Sequence, residues 1–257
     1  MNLCRDIKDF ILSYKYPKNQ YFLVSFPNSG RTWLLYMINQ MKELSNQPLD
    51  TLDHFIFNEH DSSEIIIENG FRNNPNDIFK YTGRLRYRRS SVIFLVRDPR
   101  DVVVSHYHQV TKRAKNPFYF NSISEFVKDD VLGFKRIIHY YNLWFNQKNV
   151  PNNFLLLKYE DFLTDGVNTL KTLSIFLNLN ITESDIEFIY KESSADKMRE
   201  KELKNQLEGF TDFGKETNKL KVRKAREGSY RSELSSNDIA FCNKEMEKLN
   251  PYFGYTL

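Results

Sequence analysis

The sequence has few cysteines, no long apolar run and only a small excess of one charge. Its two cysteines, Cys4 and Cys242, stand near opposite ends of 257 residues without a CxxC pair. This excludes a disulfide scaffold or a cysteine-rich zinc site and favours a reducing compartment. The apolar runs are no longer than stretches such as Val92–Val96, far short of the ~20 residues that cross a bilayer. Charges near the N-terminus do not fit a signal peptide, so we expect a soluble cytoplasmic protein without a membrane partner.

The charge balance argues against a nucleic-acid partner. Lys and Arg number 37 against 33 Asp and Glu, which gives a formal net charge of +4. This excess is too small to indicate nucleic-acid binding. Hydrophobic residues make up 40% of the chain and aromatic residues 15%, enough for a globular core. The length predicts one domain over residues 1–257.

Two common nucleotide-binding motifs are absent. There is no GxxxxGK[ST] sequence to supply the lysine of an ATP-binding P-loop, and no GxGxxG for a dinucleotide. Phe26–Trp33 instead joins a predicted strand to a predicted helix, where backbone N–H groups are unpartnered and the helix dipole favours anions. Gly30 permits close approach, and Ser29 and Thr32 supply hydroxyls. The motif predicts a P-loop-like phosphate cradle, with an ordinary strand–turn–helix junction as the alternative.

Short apolar strands alternate with helical patterns along the chain. This alternation predicts an α/β fold in which helices cover both faces of a central parallel sheet. Residues 201–228 are rich in Lys, Glu, Asn and Gly, which predicts a mobile, lid-like segment. The predicted strands are 21–25, 54–57, 65–67, 92–96 and 154–157, and the predicted helices are 3–14, 31–44, one that begins at Pro99 and continues through 101–114, 123–148, one ending near 177, and 182–191.

Two further basic motifs follow along the chain. Arg97 comes directly after a predicted strand, at the end where open α/β sheets bind ligands, and Ser105 lies two turns along the next helix. A guanidinium and a hydroxyl together suit a second phosphate. A third basic cluster, Arg223–Arg231, lies near the C-terminus. Taken alone, such a charged run is usually a solvated face.

In this order, with Tyr159–Asp161 between the second and third, the three motifs resemble the cytosolic-type sulfotransferases. The resemblance spans residues 21–231. It implies 3'-phosphoadenylyl sulfate (PAPS) as the donor, 3',5'-ADP (PAP) as the product, and a hydroxyl or amine of a small molecule as the acceptor. It implies no required metal.

The resemblance also implies which residues contact the nucleotide. Ala195, where the family has an aromatic residue, removes one stacking wall, and Ala225 and Ser229 stand where the family favours Gly and Asp. By position, the 5'-phosphosulfate would lie on Ser29, Gly30, Arg31 and Thr32, the 3'-phosphate on Arg97, Ser105, Arg223, Lys224 and the backbone of Ala225, and the rest of the nucleotide on Trp33, Tyr159, Ser193, Ser194 and Met198.

One departure from the family concerns catalysis. Asn28 stands where family members commonly carry a lysine that neutralises charge on the bridging oxygen. Asn28 donates a hydrogen bond but brings no charge. Our hypothesis is that Arg31, three residues on, supplies that charge.

The family's catalytic base is a histidine between the first and second motifs, where this chain has His54 and His60. His60 follows the predicted strand 54–57 and is the favoured candidate, because His54 opens that strand. A positioned histidine contributes typically ~10²–10⁴ in rate. His106 and His108 are two residues apart on a helix and face different ways, so we interpret them as surface or pocket-wall residues, not as a metal site.

The acceptor is open. Several acids surround the proposed base, which fits either a rim for a cationic acceptor or loop solubility, and residues 118–120 (Phe-Tyr-Phe) suit an apolar acceptor. A nucleotide kinase-like phosphotransferase is one alternative function, and Asn28 motivates a second, a non-catalytic nucleotide-binding protein. The dimer motif of animal members is not found, so the oligomeric state stays open. The acids are Asp53, Glu59, Asp61, Glu64 and Glu68.

Overall fold

Four strands form one sheet in the order β2-β1-β3-β4, and every neighbouring pair is parallel. The computed structural model describes residues 21–45, 84–113, 117–204 and 227–256, together with the backbone of 56–59 and residues 7, 10, 11 and 14. The predicted α/β class with a central parallel sheet is confirmed. The strands are β1 (Tyr21–Ser25), β2 (Ile56–Glu59), β3 (Ser91–Val96) and β4 (Asn153–Lys158).

The strand order creates a crevice at one edge of the sheet. From β1 the chain passes to β2 on one side and then returns to β3 on the other, so the order reverses between β1 and β3. Ser25 pairs with Leu95, which brings the carboxyl ends of β1 and β3 to the same level. Open α/β sheets bind ligands outside the strand ends at such a switch point.

Helices cover both faces of the sheet, because successive strand side chains point to opposite sides. Phe22 and Phe94 join a core with the helices Pro99–His108, Phe134–Gln147 and Ser236–Met246, whereas Leu23 and Ile93 join a second core with the helices Arg31–Leu44, Gly166–Phe176 and Glu183–Glu192. These helices position the crevice. The helices are α1 (Arg31–Leu44), α2 (Pro99–His108), α3 (Ile123–Lys128), α4 (Phe134–Gln147), α5 (Tyr159–Thr164), α6 (Gly166–Phe176), α7 (Glu183–Glu192), α8 (Ala195–Leu203) and α9 (Ser236–Met246), with a π-helical turn at Gln109–Arg113 and short 3-10 turns at Leu85–Tyr87, Ser229–Ser232 and Pro251–Phe253.

Two predicted helices are each divided in two. The stretch 123–148 breaks because the Asp129 carboxylate accepts hydrogen bonds from the backbone N–H groups of Val131 and Leu132, 3.0 and 2.7 Å away. The helix ending near 177 breaks at Asp165, which leaves helical geometry at φ −145°, and the next residue, Gly166, packs where an added Cβ would lie 2.0 Å from the Tyr190 ring. Both breaks depend on contacts that helical periodicity does not encode.

Other boundaries also differ from the predictions. The second strand runs from Ile56 to Glu59, not over 54–57, and the predicted strand 65–67 lies outside the described residues. Residues 201–203, at the start of the predicted lid, complete α8. Residues 205–226 lie outside the described residues, and the lid stays a prediction. Within the described part of the chain, no helix is long and apolar enough to cross a membrane.

Candidate active site

The corner between β1 and α1 presents a helix N-terminus that no side chain caps. The backbone turns through positive φ at Asn28 (69°) and at Gly30 (100°), the N-cap residue of α1. No acidic residue lies in the first turn of α1. The helices α2, α3, α7 and α9 are each capped by a side-chain oxygen, whereas α4, α5, α6 and α8 lack a side-chain cap as α1 does. The N–H groups at the start of α1 are therefore suited to an anionic ligand.

Tyr159 lies between two corners of the site. The first corner is the turn from β1 to α1, and the second is the carboxyl end of β3, where Arg97 lies. Tyr159 comes directly after β4 and is 5% exposed. A Cβ added at Gly30 would lie 2.6 Å from its ring, and the Arg97 guanidinium carbon lies 4.4 Å from the ring centroid. Trp33 packs against the same ring at a centroid distance of 5.4 Å. Gly30 and Arg97 therefore open onto one crevice, with aromatic rings between them.

The backbone of Arg97 is held where β3 ends. Its N–H donates to the Tyr141 hydroxyl oxygen at 3.0 Å, and the Tyr141 hydroxyl donates to the Arg97 carbonyl at 2.9 Å. Burial raises the pKa of Tyr141 well above its usual value, so the phenol stays protonated and able to donate. The Arg97 guanidinium lies 3.5 Å from the Asp101 carboxylate. Ser105 lies one helical turn beyond Asp101 on the same face of α2.

Asp101 connects this corner to the C-terminal part of the third basic cluster. It is 1% exposed, and its carboxylate accepts hydrogen bonds from Gly228 N at 2.8 Å, Ser229 Oγ at 2.8 Å and Tyr230 N at 3.0 Å. Residues 223–225 (Arg-Lys-Ala) lie outside the described residues, and the description resumes at 227. No local pattern in the sequence points to these hydrogen bonds of Asp101, because their donors lie 127 to 129 positions away. Ser229, a departure from the family pattern, has its own hydrogen bond here.

The side chain of Asn28 is paired with a buried histidine. Asn28 Nδ2 lies 3.2 Å from Nδ1 of His106. His106 is 3% exposed, and its ring centroid lies 5.4 Å from that of Phe26 and 5.6 Å from that of Phe126. Burial lowers the pKa of His106 to about 4, so the ring is neutral at neutral pH. Because an amide nitrogen only donates, Nδ1 accepts and the ring proton lies on Nε2.

Both histidines of this helix are buried, which excludes the surface alternative and leaves the pocket-wall one. His108 is 9% exposed, and its Nε2 lies 2.6 Å from a carboxylate oxygen of Glu233. Their burial follows from packing of α2 against α3 and α4, which the i, i+2 spacing alone does not reveal.

The remaining nucleotide-contact candidates differ in their accessibility. Trp33 Nε1 donates to the carbonyl of Ser193 at 2.7 Å, which ties α1 to the end of α7. The Ser193 hydroxyl is buried and donates to carbonyls within α7. Ser193 therefore contacts Trp33 in the crevice through its backbone carbonyl and not through its hydroxyl. Ser194 is exposed at the N-cap of α8, and Met198 is 1% exposed. Arg31 is buried at the first position of α1, and Thr32 next to it is half-buried.

The predicted base lies just beyond a described strand. His60 is outside the described residues, but it follows directly after Glu59, the last residue of β2. Glu59 pairs with Val24 near the carboxyl end of β1. Of the proposed acceptor-pocket residues, Phe120 packs against Phe126 in the core, whereas Tyr119 is 81% exposed. Among the described residues, no group of three or more His, Cys, Asp or Glu is arranged to hold a metal ion.

Comparison with known proteins identifies the family. The family model described as the sulfotransferase domain matches residues 18–250. The chain belongs to the sulfotransferase family. The chain is 27% identical to mouse sulfotransferase 2A1 over 194 residues, which cover 71% of this chain and 67% of that protein. It is 25% identical to rabbit amine sulfotransferase over 193 residues, which cover 69% of this chain and 62% of that protein.

A solved structure shares the fold of this sulfotransferase. The crystal structure of mouse sulfotransferase SULT7A1 complexed with PAP superimposes with a TM-score of 0.65 at 20% identity, covering 92% of this chain and 87% of that one. The family and the enzyme class predicted from the three motifs are confirmed. The aligned chain spans about two thirds of the length of the two curated relatives, 67% and 62%. The residue roles stay predictions.

Proposed function

We propose that this sulfotransferase moves a sulfuryl group from PAPS to a hydroxyl or amine of a small-molecule acceptor and releases PAP. The observation that carries the proposal is the crevice in which Tyr159 contacts both Gly30 and Arg97. PAPS is anionic at two ends, and the crevice offers an uncapped helix N-terminus at one corner and a fixed guanidinium at the other. The bound PAP in the structure of the mouse relative supports the same donor.

The residues at the first corner fit a phosphosulfate. A Cβ at Gly30 would lie 2.6 Å from the Tyr159 ring, so a glycine lets this turn pack against the ring at the uncapped N-terminus of α1, where backbone N–H groups suit an anion. Ser29 and Thr32 flank Gly30. At the second corner Arg97 and Ser105 would hold the 3'-phosphate, joined by Arg223, Lys224 and the backbone of Ala225. Trp33, Tyr159, Ser193, Ser194 and Met198 would contact the rest of the nucleotide.

We infer an in-line transfer in which positioning and charge neutralisation supply most of the catalysis, as in phosphoryl transfer. The acceptor oxygen or nitrogen bonds to sulfur while the bond from sulfur to the bridging phosphate oxygen breaks. The acceptor proton passes to His60, and negative charge develops on the bridging oxygen. Asn28 donates a hydrogen bond there, and Arg31 supplies positive charge.

The role of Arg31 leads to a direct prediction. We expect Arg31→Ala to lower kcat about 100-fold, because removing one donor to a developing oxyanion costs ~10²–10³ in rate. Arg31→Lys should recover part of the loss by restoring the charge. Turnover of labelled PAPS measures both, and Lys42→Ala, in the last turn of the same helix, is the matched control. An Arg31→Ala enzyme with wild-type kcat would exclude this role.

The acceptor we propose carries a positive charge. Of the acids proposed as a rim, Glu59 ends β2 beside β1, and the others lie outside the described residues. The rabbit relative is named an amine sulfotransferase, which supports a cationic acceptor. The remaining members of the rim are Asp53, Asp61, Glu64 and Glu68.

One experiment tests both the donor and the acceptor. We expect PAP to bind in calorimetry without metal and ATP with Mg²⁺ not to bind, because only PAP has the 3'-phosphate that Arg97 and Ser105 would hold. We then expect PAPS turnover with amine-bearing alcohols to exceed that with neutral alcohols of equal size. Binding of ATP alone would support a phosphotransferase. PAP binding without turnover of any acceptor would support a non-catalytic nucleotide-binding protein, and a preference for neutral acceptors would exclude the acidic rim.

We also infer that the protein works in the cytoplasm. Cys242 is buried as a free thiol, and burial raises its pKa to about 12, so it behaves as a small core residue and not as a disulfide partner. Recovery of active enzyme in the cytosolic fraction of its source cells tests this inference.

A further inference from the structure

We propose that His106 is a positioning residue for sulfuryl transfer, because it holds one N–H of the Asn28 amide and so directs the other N–H toward the crevice. The proposal rests on the proposed function. It starts from one contact, 3.2 Å between Asn28 Nδ2 and His106 Nδ1, across 78 positions of sequence. Nothing in the sequence motifs assigns His106 a role.

The amide of Asn28 needs a partner to have one orientation. Asn28 lies in the turn two residues before Gly30 and is half-buried, with a left-handed backbone at φ 69°. A carboxamide presents two N–H donors on one side and a carbonyl acceptor on the other, and rotation by half a turn exchanges them. A bond to one N–H therefore also fixes the direction of the second N–H and of the carbonyl.

His106 provides an acceptor at a fixed place. Its ring is packed against Phe26 and Phe126, which belong to different elements, so the imidazole has little freedom to move. The ring is neutral because burial keeps its pKa at about 4. A protonated imidazole would donate from Nδ1 and would bind the amide carbonyl, turning the Asn28 nitrogen away. The neutral tautomer with its proton on Nε2 accepts at Nδ1, and this tautomer selects the orientation in which Asn28 acts as a donor.

This arrangement matters because Asn28 has no charge to compensate for poor alignment. A lysine in its place attracts an oxyanion over a range of positions. The hydrogen bond from an amide N–H, in contrast, weakens steeply as the N–H···O angle departs from linear. The catalytic contribution of Asn28 then depends on the residue that orients it.

Two substitutions at position 106 separate positioning from packing. H106F keeps an aromatic ring between Phe26 and Phe126 but removes the acceptor. H106N loses the ring but places an amide oxygen close to the position of Nδ1. We expect H106F to lower kcat about 10- to 100-fold, less than the ~10²–10³ lost with a donor itself, with PAP affinity retained. We expect H106N to recover most of that kcat at a lower melting temperature. If His106 only packs, H106F should have the higher kcat and H106N the lower one, and that result would overturn the proposal.

His139 is the matched control. It is a second, half-buried histidine whose pKa burial also lowers to about 4, and it lies on α4. H139F should leave kcat unchanged. In an Asn28→Ala background, H106F should cause no further loss, because residues that act as one unit are not additive. Independent, additive losses would contradict the proposal.

Wild-type protein gives a readout that needs no variant and no turnover. A scalar coupling between the Asn28 side-chain amide and the His106 ring nitrogen, measured by NMR on labelled protein, is expected if the hydrogen bond is present, and its absence would overturn the proposal. PAP binding and PAPS turnover by the wild type are measured in the same series. If the wild type neither binds PAP nor turns over PAPS, the proposed function is refuted. If the wild type turns over PAPS and H106F has the same kcat, only the positioning role is refuted.

Discussion

Arg97→Ala is expected to weaken PAP binding about 100-fold while changing 5'-AMP binding little. A hydrogen-bonded charged group contributes about 1.5–3 kcal/mol, and Arg97 is fixed by Tyr141 and Asp101 at the corner where we place the 3'-phosphate. 5'-AMP lacks that phosphate, so the wild type should bind it more weakly than PAP. In Arg97→Ala the ratio of the 5'-AMP dissociation constant to the PAP dissociation constant should therefore fall toward one. Calorimetry with both nucleotides measures this ratio.

Arg100→Ala is the control for Arg97→Ala. Arg100 is also buried, and its replacement by alanine removes one positive charge, as Arg97→Ala does. The Arg100 guanidinium, however, pairs with Asp98 at 2.8 Å and donates hydrogen bonds to the Asn243 side chain and the Thr256 carbonyl. We expect Arg100→Ala to lower the free energy of unfolding without changing the PAP to 5'-AMP ratio. Equal loss of affinity for both nucleotides in Arg97→Ala would show that Arg97 holds the fold and not the 3'-phosphate.

Gly30→Ala is expected to lower kcat/KM for PAPS about 100-fold and the free energy of unfolding by about 1–3 kcal/mol. The backbone at Gly30 has φ 100°, and strained left-handed residues cost about this much. The new Cβ would lie 2.6 Å from the Tyr159 ring, which must retreat by about 1 Å to reach ordinary contact. Displacements of about that size cost ~10² in rate when they disturb a bound substrate.

Gly254→Ala is the control for Gly30→Ala, because it introduces backbone strain without altering the proposed phosphosulfate site. Gly254 also has a positive φ, 66°, but its added Cβ would meet the end of the flexible Lys158 side chain. We expect a comparable loss of stability and wild-type PAP affinity. Thermal unfolding and PAP calorimetry on both variants measure the two effects. Wild-type PAPS kinetics in a folded Gly30→Ala enzyme would contradict the placement of the phosphosulfate.

Local sequence information determined the first corner well. The predicted strand 21–25 and helix 31–44 match β1 and α1 at both ends. Thr182, the first residue of the predicted helix 182–191, caps α7 by accepting a hydrogen bond from Asp185 N. These features depend on residues a few positions apart, so apolar periodicity and capping side chains encode them directly. The order of the three phosphate motifs was enough to identify the family.

The assembly of the site depended on contacts between distant segments. Only the strand order places β3 beside β1, so that Arg97 and Gly30 share the Tyr159 ring. The bonds from Asp101 to Gly228 and from His106 to Asn28 join segments 127 and 78 residues apart. Such contacts form when separate helices and strands pack together, and no local pattern of residue types marks them in advance. The sequence by itself thus determined the family and the individual corners, whereas packing of the sheet and helices decided which side chains meet and orient one another.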